Sequence, residues 1–339
     1  MRRHKAVTGL IVCALLLLGV AGGAALWVNH RIGDIPRVDL GLPSADDGAN
    51  GDQGAPGKAV NILMLGTDGR DQSALERMVD SGWQPGAMRS DTIMILHVSA
   101  DRDEASLVSI PRDTWTDVPG YGPNKINAAF SYGGPKLALE TVQDFTGIGI
   151  DHVAIVDWDG FKDITTAIGG VDVQVPENVT DSSGKIIWQR GTTHLEGQEA
   201  LNYVRERKSL ANGDFDRVAR QQNFLRAVMS KLMSSGTVTN PVRLVKTLNA
   251  TAPHVTVDSS LDNERVRDLA FSMRHLRTGD VTFATVPLDS YATRGGGQSV
   301  VLVDRATVGD MFQAVDDDRL KQFMSNQGLA GLPAPGSVS

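Results

Sequence analysis

Three apolar stretches in close succession, "AVNILMLGTD", "SDTIMILHVSA" and "ASLVSIP", constrain this chain more than any other feature. Each is short, almost continuous in its hydrophobicity, and bounded by a glycine turn, a charged residue or a proline. A strand with one wet face alternates apolar and polar residues, whereas a strand without that alternation must be covered on both faces. The three stretches therefore read as strands of one sheet with helices above and below it. Charged residues stand at their tips: Asp68, Arg89, Asp91, Arg112 and Asp113. A charge is costly to desolvate unless it meets a partner. These residues either make ordinary salt bridges at strand ends or form a site for a metal ion and a phosphate.

The rest of the pattern extends the sheet. "HVAIVDW" and "VDVQVP" read as two more strands around a helix-like "WDGFKDITTAIGG", and Leu139, Val142 and Phe145 recur at helical spacing. Strands that alternate with helices predict an α/β fold, a mixed central sheet sandwiched by helices, over residues 59–318. With 41% hydrophobic and 22% charged residues, the 339-residue chain has a globular composition. Its formal charge of −7 argues against a nucleic-acid partner, which would require a basic face. The only cysteine is Cys13, so neither an intramolecular disulfide nor a cysteine zinc site can form.

The N-terminus bears on location. "MRRHK" (1–5) precedes an uncharged run from Ala6 to Val28, long enough to cross a bilayer as a helix. With its positive charges ahead of it, the run reads as one transmembrane anchor that leaves residues 1–5 in the cytoplasm and everything after it outside the cell. A cleaved signal peptide is the alternative, but its apolar region is usually shorter. Residues 29–58, rich in Gly, Asp, Ala and Pro from Gly33 on, read as a flexible linker off the membrane. The end, 319–339, closing with "NQGLAGLPAPGSVS", reads as a partly disordered tail.

A second charged group lies further along. Leu195, Ala200, Leu201 and Val204 suit a short amphipathic helix starting near Glu196, and a longer helix is expected after Gly213. Arg205 and Arg207 are two apart, so they can share a ligand only if the first helix ends there and the backbone extends. Arg217 and Gln221 are four apart and share a helix face, with Asp214 just before them. Mixed charges of this kind are commonly a solvated surface. Arginines that converge on one place instead suit the oxygens of a polyanion.

Six motifs in order decide between these readings: "NILMLGTDGR", "RSDTIMILHV", "VSIPRDTW", "NKINAAFSYGG", "LEGQEALNYVRER" and "GDFDRVARQQ". Through them the chain resembles the LytR–CpsA–Psr family, the membrane-anchored phosphotransferases that attach glycopolymers to the bacterial cell wall. The resemblance implies transfer of a glycopolymer from a polyprenyl-pyrophosphate carrier to a peptidoglycan sugar hydroxyl. It implies Mg2+ held by Asp68 and Asp91, and a pyrophosphate bound by Arg89, Arg112, Lys125, Arg205, Arg207, Arg217 and Gln221. Asp91, Arg89, Arg205 and Arg207 are the expected catalytic residues, with Arg220 as a further contributor and Asp113 orienting Arg112. Helices with residues such as Phe130, Ile164, Phe224, Val228 and Met229 must cover the apolar strands, for the most part as plain core packing; the resemblance also implies a hydrophobic pocket for the lipid between sheet and helices, without saying which of these residues line it. Two other functions fit the same residues. A pyrophosphate hydrolase would use water as acceptor, and a non-catalytic polymer-binding surface protein would need neither Mg2+ nor the aspartates. If Asp68 and Asp91 face one another without a cation, removing one should leave stability unchanged or raise it.

Overall fold

The computed structural model describes residues 30–43, 57–69, 72–175, 177–181, 183–206 and 252–329, with scattered helical positions between 220 and 249. The expected anchor at 6–28 lies outside the described residues. Among them, no helix is long and apolar enough to cross a membrane.

In chain order the strands are β1 (Arg37–Val38), β2 (Val60–Thr67), β3 (Ser90–Val98), β4 (Ala105–Ile110), β5 (Trp115–Val118), β6 (Gly122–Lys125), β7 (His152–Val156), β8 (Val171–Val175), β9 (Val179–Thr180), β10 (Ile186–Trp188), β11 (Gly191–Leu195), β12 (Val255–Asp258), β13 (Val281–Thr285), β14 (Ser290–Arg294) and β15 (Gln298–Leu302). Seven of them form the central sheet in the order β1-β12-β7-β2-β3-β4-β13. β2, β3 and β4, the three apolar stretches, lie side by side and antiparallel near its middle. β2 runs parallel to β7, and β4 parallel to β13, so the sheet is mixed as expected. β8 does not join it and pairs with β11 in a two-stranded ribbon.

The helices are α1 (Gln72–Ser81), α2 (Ile126–Thr146), α3 (Trp158–Ala167), α4 (Gly197–Arg205), α5 (Asn263–Ser272), α6 (Arg305–Asp316) and α7 (Leu320–Asn326). One face of the sheet, carrying Leu63, Leu65, Ile93, Ile95, Val108 and Ile110, packs against Phe130, Leu139 and Val142 of α2 and Met311, Phe312 and Val315 of α6. The other face, with Met64, Met94, Leu96 and Leu107, looks toward α3 and α4. α2 is broken at "GGP": Gly134 takes φ +70°, and a Cβ there would stand 2.6 Å from the Trp83 ring. A glycine meets both constraints, and Pro135 restarts the helix at a position where its missing N–H costs nothing.

Two sequence boundaries are corrected. The expected linker 29–58 contains β1, which pairs in parallel with β12 and buries Ile32, Val38 and Leu40. Val38, Leu40 and Leu42 alternate with Asp39 and Gly41, the period-two signature of an edge strand, short enough to be hidden in a Gly- and Asp-rich composition. The expected tail at 319–339 begins instead with α7, whose Leu320 and Met324 are buried in the main core. Apolar residues four apart on one helical turn anchor it there.

Candidate active site

The site begins where β2 meets β3. Gly66 pairs with Thr92 and Thr67 with Ser90, so Asp91 is an extra residue in β3 with no counterpart on β2. This bulge turns the Asp91 side chain away from the regular alternation, a usual device for aiming a side chain at a sheet edge. Gly66 keeps the close approach beside it open, because a Cβ there would stand 3.0 Å from Thr92 Cβ and push it aside. Asp68, just past the strand, is exposed and bracketed to Arg89: its N–H donates to the Arg89 carbonyl at 3.1 Å, and its Oδ1 accepts from the Arg89 N–H at 2.7 Å. The Arg89 side chain is exposed.

Asp91 is paired with the Arg112 guanidinium. Arg112 Nε lies 3.8 Å from Asp113 Oδ2, and Asp113 Oδ1 accepts from Lys125 Nζ at 2.9 Å. Four side chains of alternating sign thus stand in a row, each about a fifth exposed: 23% for Asp91, 17% for Arg112, 19% for Asp113 and 20% for Lys125. Asp113 does more than orient Arg112, for it spaces the two cations. The loop carrying them is fixed by the backbone: the Ile126 N–H donates to the Thr114 carbonyl at 2.8 Å, and the Val301 N–H to the Asp113 carbonyl at 2.9 Å. Lys125 precedes the first turn of α2 without capping it, which leaves its ammonium to the row.

The Asp91–Arg112 pair alters one expectation. Relief of repulsion presupposed an Asp91 facing another carboxylate; here its removal deprives a largely buried guanidinium of an ion-pair partner, so stability should fall.

Next to the row, between the sheet and α3 and α4, lies a cavity of about 370 Å³. Met64, Met94 and Leu107 form its floor, Trp158, Phe161 and Ile164 of α3 one wall, and Val204, Phe224 and Val228 its cover. Thr92 and Gly66, the neighbours of the bulge, also line it, so the apolar space adjoins the charged row. Of the helix residues expected to cover the sheet, Ile164, Phe224 and Val228 border the cavity. Phe130 packs in the core of the opposite face against Trp83, and Met229 lies outside the described residues.

α4 ends at Arg205, and Glu206 is already extended at ψ 133°, the backbone condition that Arg205 and Arg207 needed to face one ligand. The Arg205 guanidinium stands 5.1 Å from the centre of the Trp158 ring, on the same wall as the cavity. Arg207, Arg217 and Gln221 lie outside the described residues. Arg220 is buried, with its guanidinium 4.8 Å from the Tyr203 ring. Burial pushes the Tyr203 hydroxyl up from its ordinary value, against the pull of Arg220.

Asp157 belongs to the site although none of the six motifs contains it. It caps α3, its Oδ1 accepting from the Gly160 N–H at 2.6 Å, and it borders the cavity. Burial pushes its carboxyl up, against the Gly160 bond and the nearby His254 that favour the charged form. The signal for it is present in "VDWDGF", an aspartate ahead of a helix-like segment.

For a cation, the site offers Asp68 and Asp91. Among the described residues no group of three or more His, Cys, Asp or Glu side chains converges on one point. Two carboxylates without nitrogen or sulfur donors suit Mg2+, which keeps waters and takes the rest of its ligands from phosphate.

Comparison with known proteins agrees with this architecture. The chain matches the LytR_cpsA_psr family over residues 44–325. It is 34% identical over 312 residues to the probable cell wall biosynthesis protein LcpB of Corynebacterium glutamicum, covering 91% of this chain and 70% of that one. It is 32% identical to LcpA of the same organism, covering 91% of this chain and 65% of the relative. With the polyisoprenyl-teichoic acid–peptidoglycan teichoic acid transferase TagU of Enterococcus faecalis it shares 30% identity over 271 residues, 79% of each protein. Among solved structures it is similar to TagV of Bacillus subtilis, with a TM-score of 0.62 at 27% identity over 78% of this chain and 98% of that one. The TagT structure bound to LI-WTA shares the fold at a TM-score of 0.61 and 24% identity, over 84% of this chain and 98% of that one. A family match over most of the length, relatives above 30% identity, and a mixed sheet with a charged row at its edge lead to one conclusion: the chain is a member of the LytR–CpsA–Psr family.

Proposed function

We propose that this chain transfers a glycopolymer from a polyprenyl-pyrophosphate carrier to a sugar hydroxyl of peptidoglycan, with Mg2+, on the outer face of the membrane that its residues 6–28 cross. The observation that carries this reading is the junction of two unlike surfaces: an apolar cavity of about 370 Å³ that adjoins the row Asp91–Arg112–Asp113–Lys125. A ligand matching both has a long hydrocarbon tail and a compact polyanionic head. Relatives named as teichoic acid transferases support the donor and acceptor classes.

In such a transfer the acceptor hydroxyl attacks the phosphorus on the glycan side. A phosphodiester to peptidoglycan forms, the pyrophosphate bridge breaks, and polyprenyl phosphate leaves. Its negative charges repel the nucleophile, so positioning and charge neutralisation do most of the work. Arg112, Lys125 and Arg205 would clamp the non-bridging oxygens, with Arg89, Arg207, Arg217 and Gln221 as further contacts. Mg2+, held by Asp68 and Asp91, would stabilise charge on the leaving phosphate. Asp91 is the first candidate to accept the hydroxyl proton once the arriving phosphate draws Arg112 to itself, and in that role it would loosen its hold on Mg2+, leaving the cation to Asp68 and the phosphate oxygens.

The test incubates the protein with a lipid-linked glycan and peptidoglycan fragments, with and without Mg2+. Glycan joined to the fragments only in the presence of Mg2+ is the expected result. Free glycan phosphate with unmodified fragments would indicate a hydrolase, and tight binding with no turnover a binding protein; either would overturn the transferase reading.

A further inference from the structure

The charged row has a second neighbour, at its Lys125 end. Tyr121, in the turn between β5 and β6, leaves 53% of its surface exposed. Its ring lies almost flat on that of Tyr132, with centroids 4.7 Å apart and planes 19° from parallel. Tyr132 belongs to α2, and its hydroxyl accepts from Asn124 Nδ2 at 3.1 Å. Asn124 Oδ1 in turn accepts from the Lys125 N–H at 2.9 Å. Two rings and an amide thus form a mount tied through a backbone N–H to Lys125, the last residue of the row. An exposed aromatic face held this firmly has lost its rotational freedom already, so a partner that covers it incurs little ordering cost. For a stabilising core contact the arrangement is wasteful, because the larger part of the ring meets water.

We propose that Tyr121, backed by Tyr132, is a stacking platform for a pyranose ring of the glycan. The aligned C–H bonds on one face of such a sugar carry slight positive charge and are apolar, which suits the negative face of an aromatic ring. The order of surfaces supports this assignment and rests on the transferase reading above. The cavity meets the row at Thr92, beside Asp91, and the tyrosine pair meets it at Lys125, the other end, as lipid, pyrophosphate and sugar follow one another in the donor. A sugar of the acceptor strand, brought against the same pyrophosphate, presents the same chemistry, so the ring can come from either substrate.

The experiment compares the protein with its Tyr121→Ala and Tyr121→Trp variants in binding three probes: farnesyl pyrophosphate, a glycosylated polyprenyl pyrophosphate, and muropeptides from digested peptidoglycan. Tyr121→Ala should weaken a sugar-bearing probe about tenfold, the order expected for a lost aromatic contact, and leave farnesyl pyrophosphate unchanged. Tyr121→Trp should restore the affinity. Loss on the glycosylated lipid assigns the donor sugar, and loss on muropeptides the acceptor. Unchanged binding of both sugar-bearing probes, or an equal loss on farnesyl pyrophosphate, would overturn the platform. Failure of the unsubstituted protein to bind farnesyl pyrophosphate would instead refute the transferase reading; the platform would then stand or fall on the muropeptide arm alone.

Discussion

The two faces of the central sheet are built from the same kinds of residue and end in opposite states. On the α2–α6 face Leu63, Ile95 and Val108 meet Phe130, Met311 and Phe312, all essentially without exposure. On the α3–α4 face Met64, Met94 and Leu107 meet a cavity of about 370 Å³. Interiors normally pack at crystal density, and a void of that size forfeits dispersion contacts on every side. The first face is therefore where the chain gains its stability. The second holds back apolar area that a ligand can cover, at a cost the filled face offsets. Met64 and Met94 stand in the open floor beside Leu96 and Leu107, and the unbranched, polarisable side chain of Met adapts to an irregular guest better than Ile or Val.

The largest effect that sharpens this contrast is expected from Phe130→Ala. The ring is fully buried in the filled face and contacts Trp83 edge-on at 5.3 Å. Its truncation should cost about 3–5 kcal/mol, read as a shift of the urea midpoint, while the protein that remains folded keeps its affinity for polyprenyl pyrophosphate. A loss near 1 kcal/mol would mean that this face is no better packed than the other.

Asp91→Ala comes next, at the edge where the two faces meet. Transfer should be abolished. Because Arg112 is only 17% exposed and loses one of its two carboxylate neighbours, stability should fall by about 1–2 kcal/mol, less than for a fully buried charge because solvent screens part of the interaction. Thermal denaturation without Mg2+ measures this directly. A melting temperature equal to or above that of the unsubstituted protein would show that Asp91 is dominated by another carboxylate, and that the Arg112 pair adds nothing.

A smaller effect is expected from Asp157, whose burial beside the cavity raises its carboxyl above the ordinary value. Between those two values the folded state binds more protons than the unfolded one, so this group's contribution to stability declines as the pH rises through that window. Asp157→Asn keeps an oxygen to cap α3 and removes the titration. Denaturation midpoints across the acid range should therefore diverge, the variant gaining on the parent as the pH rises. Parallel curves would show that Asp157 carries no strain from its apolar surroundings.

Much of this architecture is legible in the amino-acid order alone, and for identifiable reasons. β2, β3 and β4 are continuous apolar runs with charged tips, a signal that requires no distant partner to interpret. The end of α4 at Arg205 is a condition that the spacing of Arg205 and Arg207 sets for a shared ligand, and the structure meets it; the residues that the row joins, Asp91, Arg112 and Lys125, all lie in recognisable motifs. β1 escapes such a reading because its pairing with β12 joins residues about 220 positions apart, and three alternating apolar residues stand out little from the composition around them. The cavity cannot be read from sequence at all. Ile164 and Phe130 are equally apolar, and which of them borders a void depends on how closely a helix approaches the sheet. The Asp91–Arg112 pair is likewise a three-dimensional fact, and it reverses the sign of a stability expectation drawn from like charges alone.

The smallest expected effect on stability is the most direct probe of the open face. Ile164 lines the cavity from α3 and is only partly buried. Enlarging a side chain in a well-packed core forces neighbours off their rotamers and costs about 1–3 kcal/mol. If the space beside Ile164 is truly vacant in the free protein, Ile164→Phe should place its added atoms there and change stability by less than about 0.5 kcal/mol, since no neighbour need move. Ile and Phe have similar helix propensities, so only the small gain from burying more apolar surface remains. The consequence should appear in binding. A ring inside the cavity occupies volume the lipid needs, so the affinity for farnesyl pyrophosphate should drop while that for inorganic pyrophosphate, which touches only the charged row, should not. Phe130 supplies the control, because Phe130→Trp enlarges a side chain on the filled face and should be destabilising without altering either affinity. If Ile164→Phe destabilised the protein as strongly as Phe130→Trp, the two faces would be equally packed, and a cavity kept for the lipid would have to be abandoned.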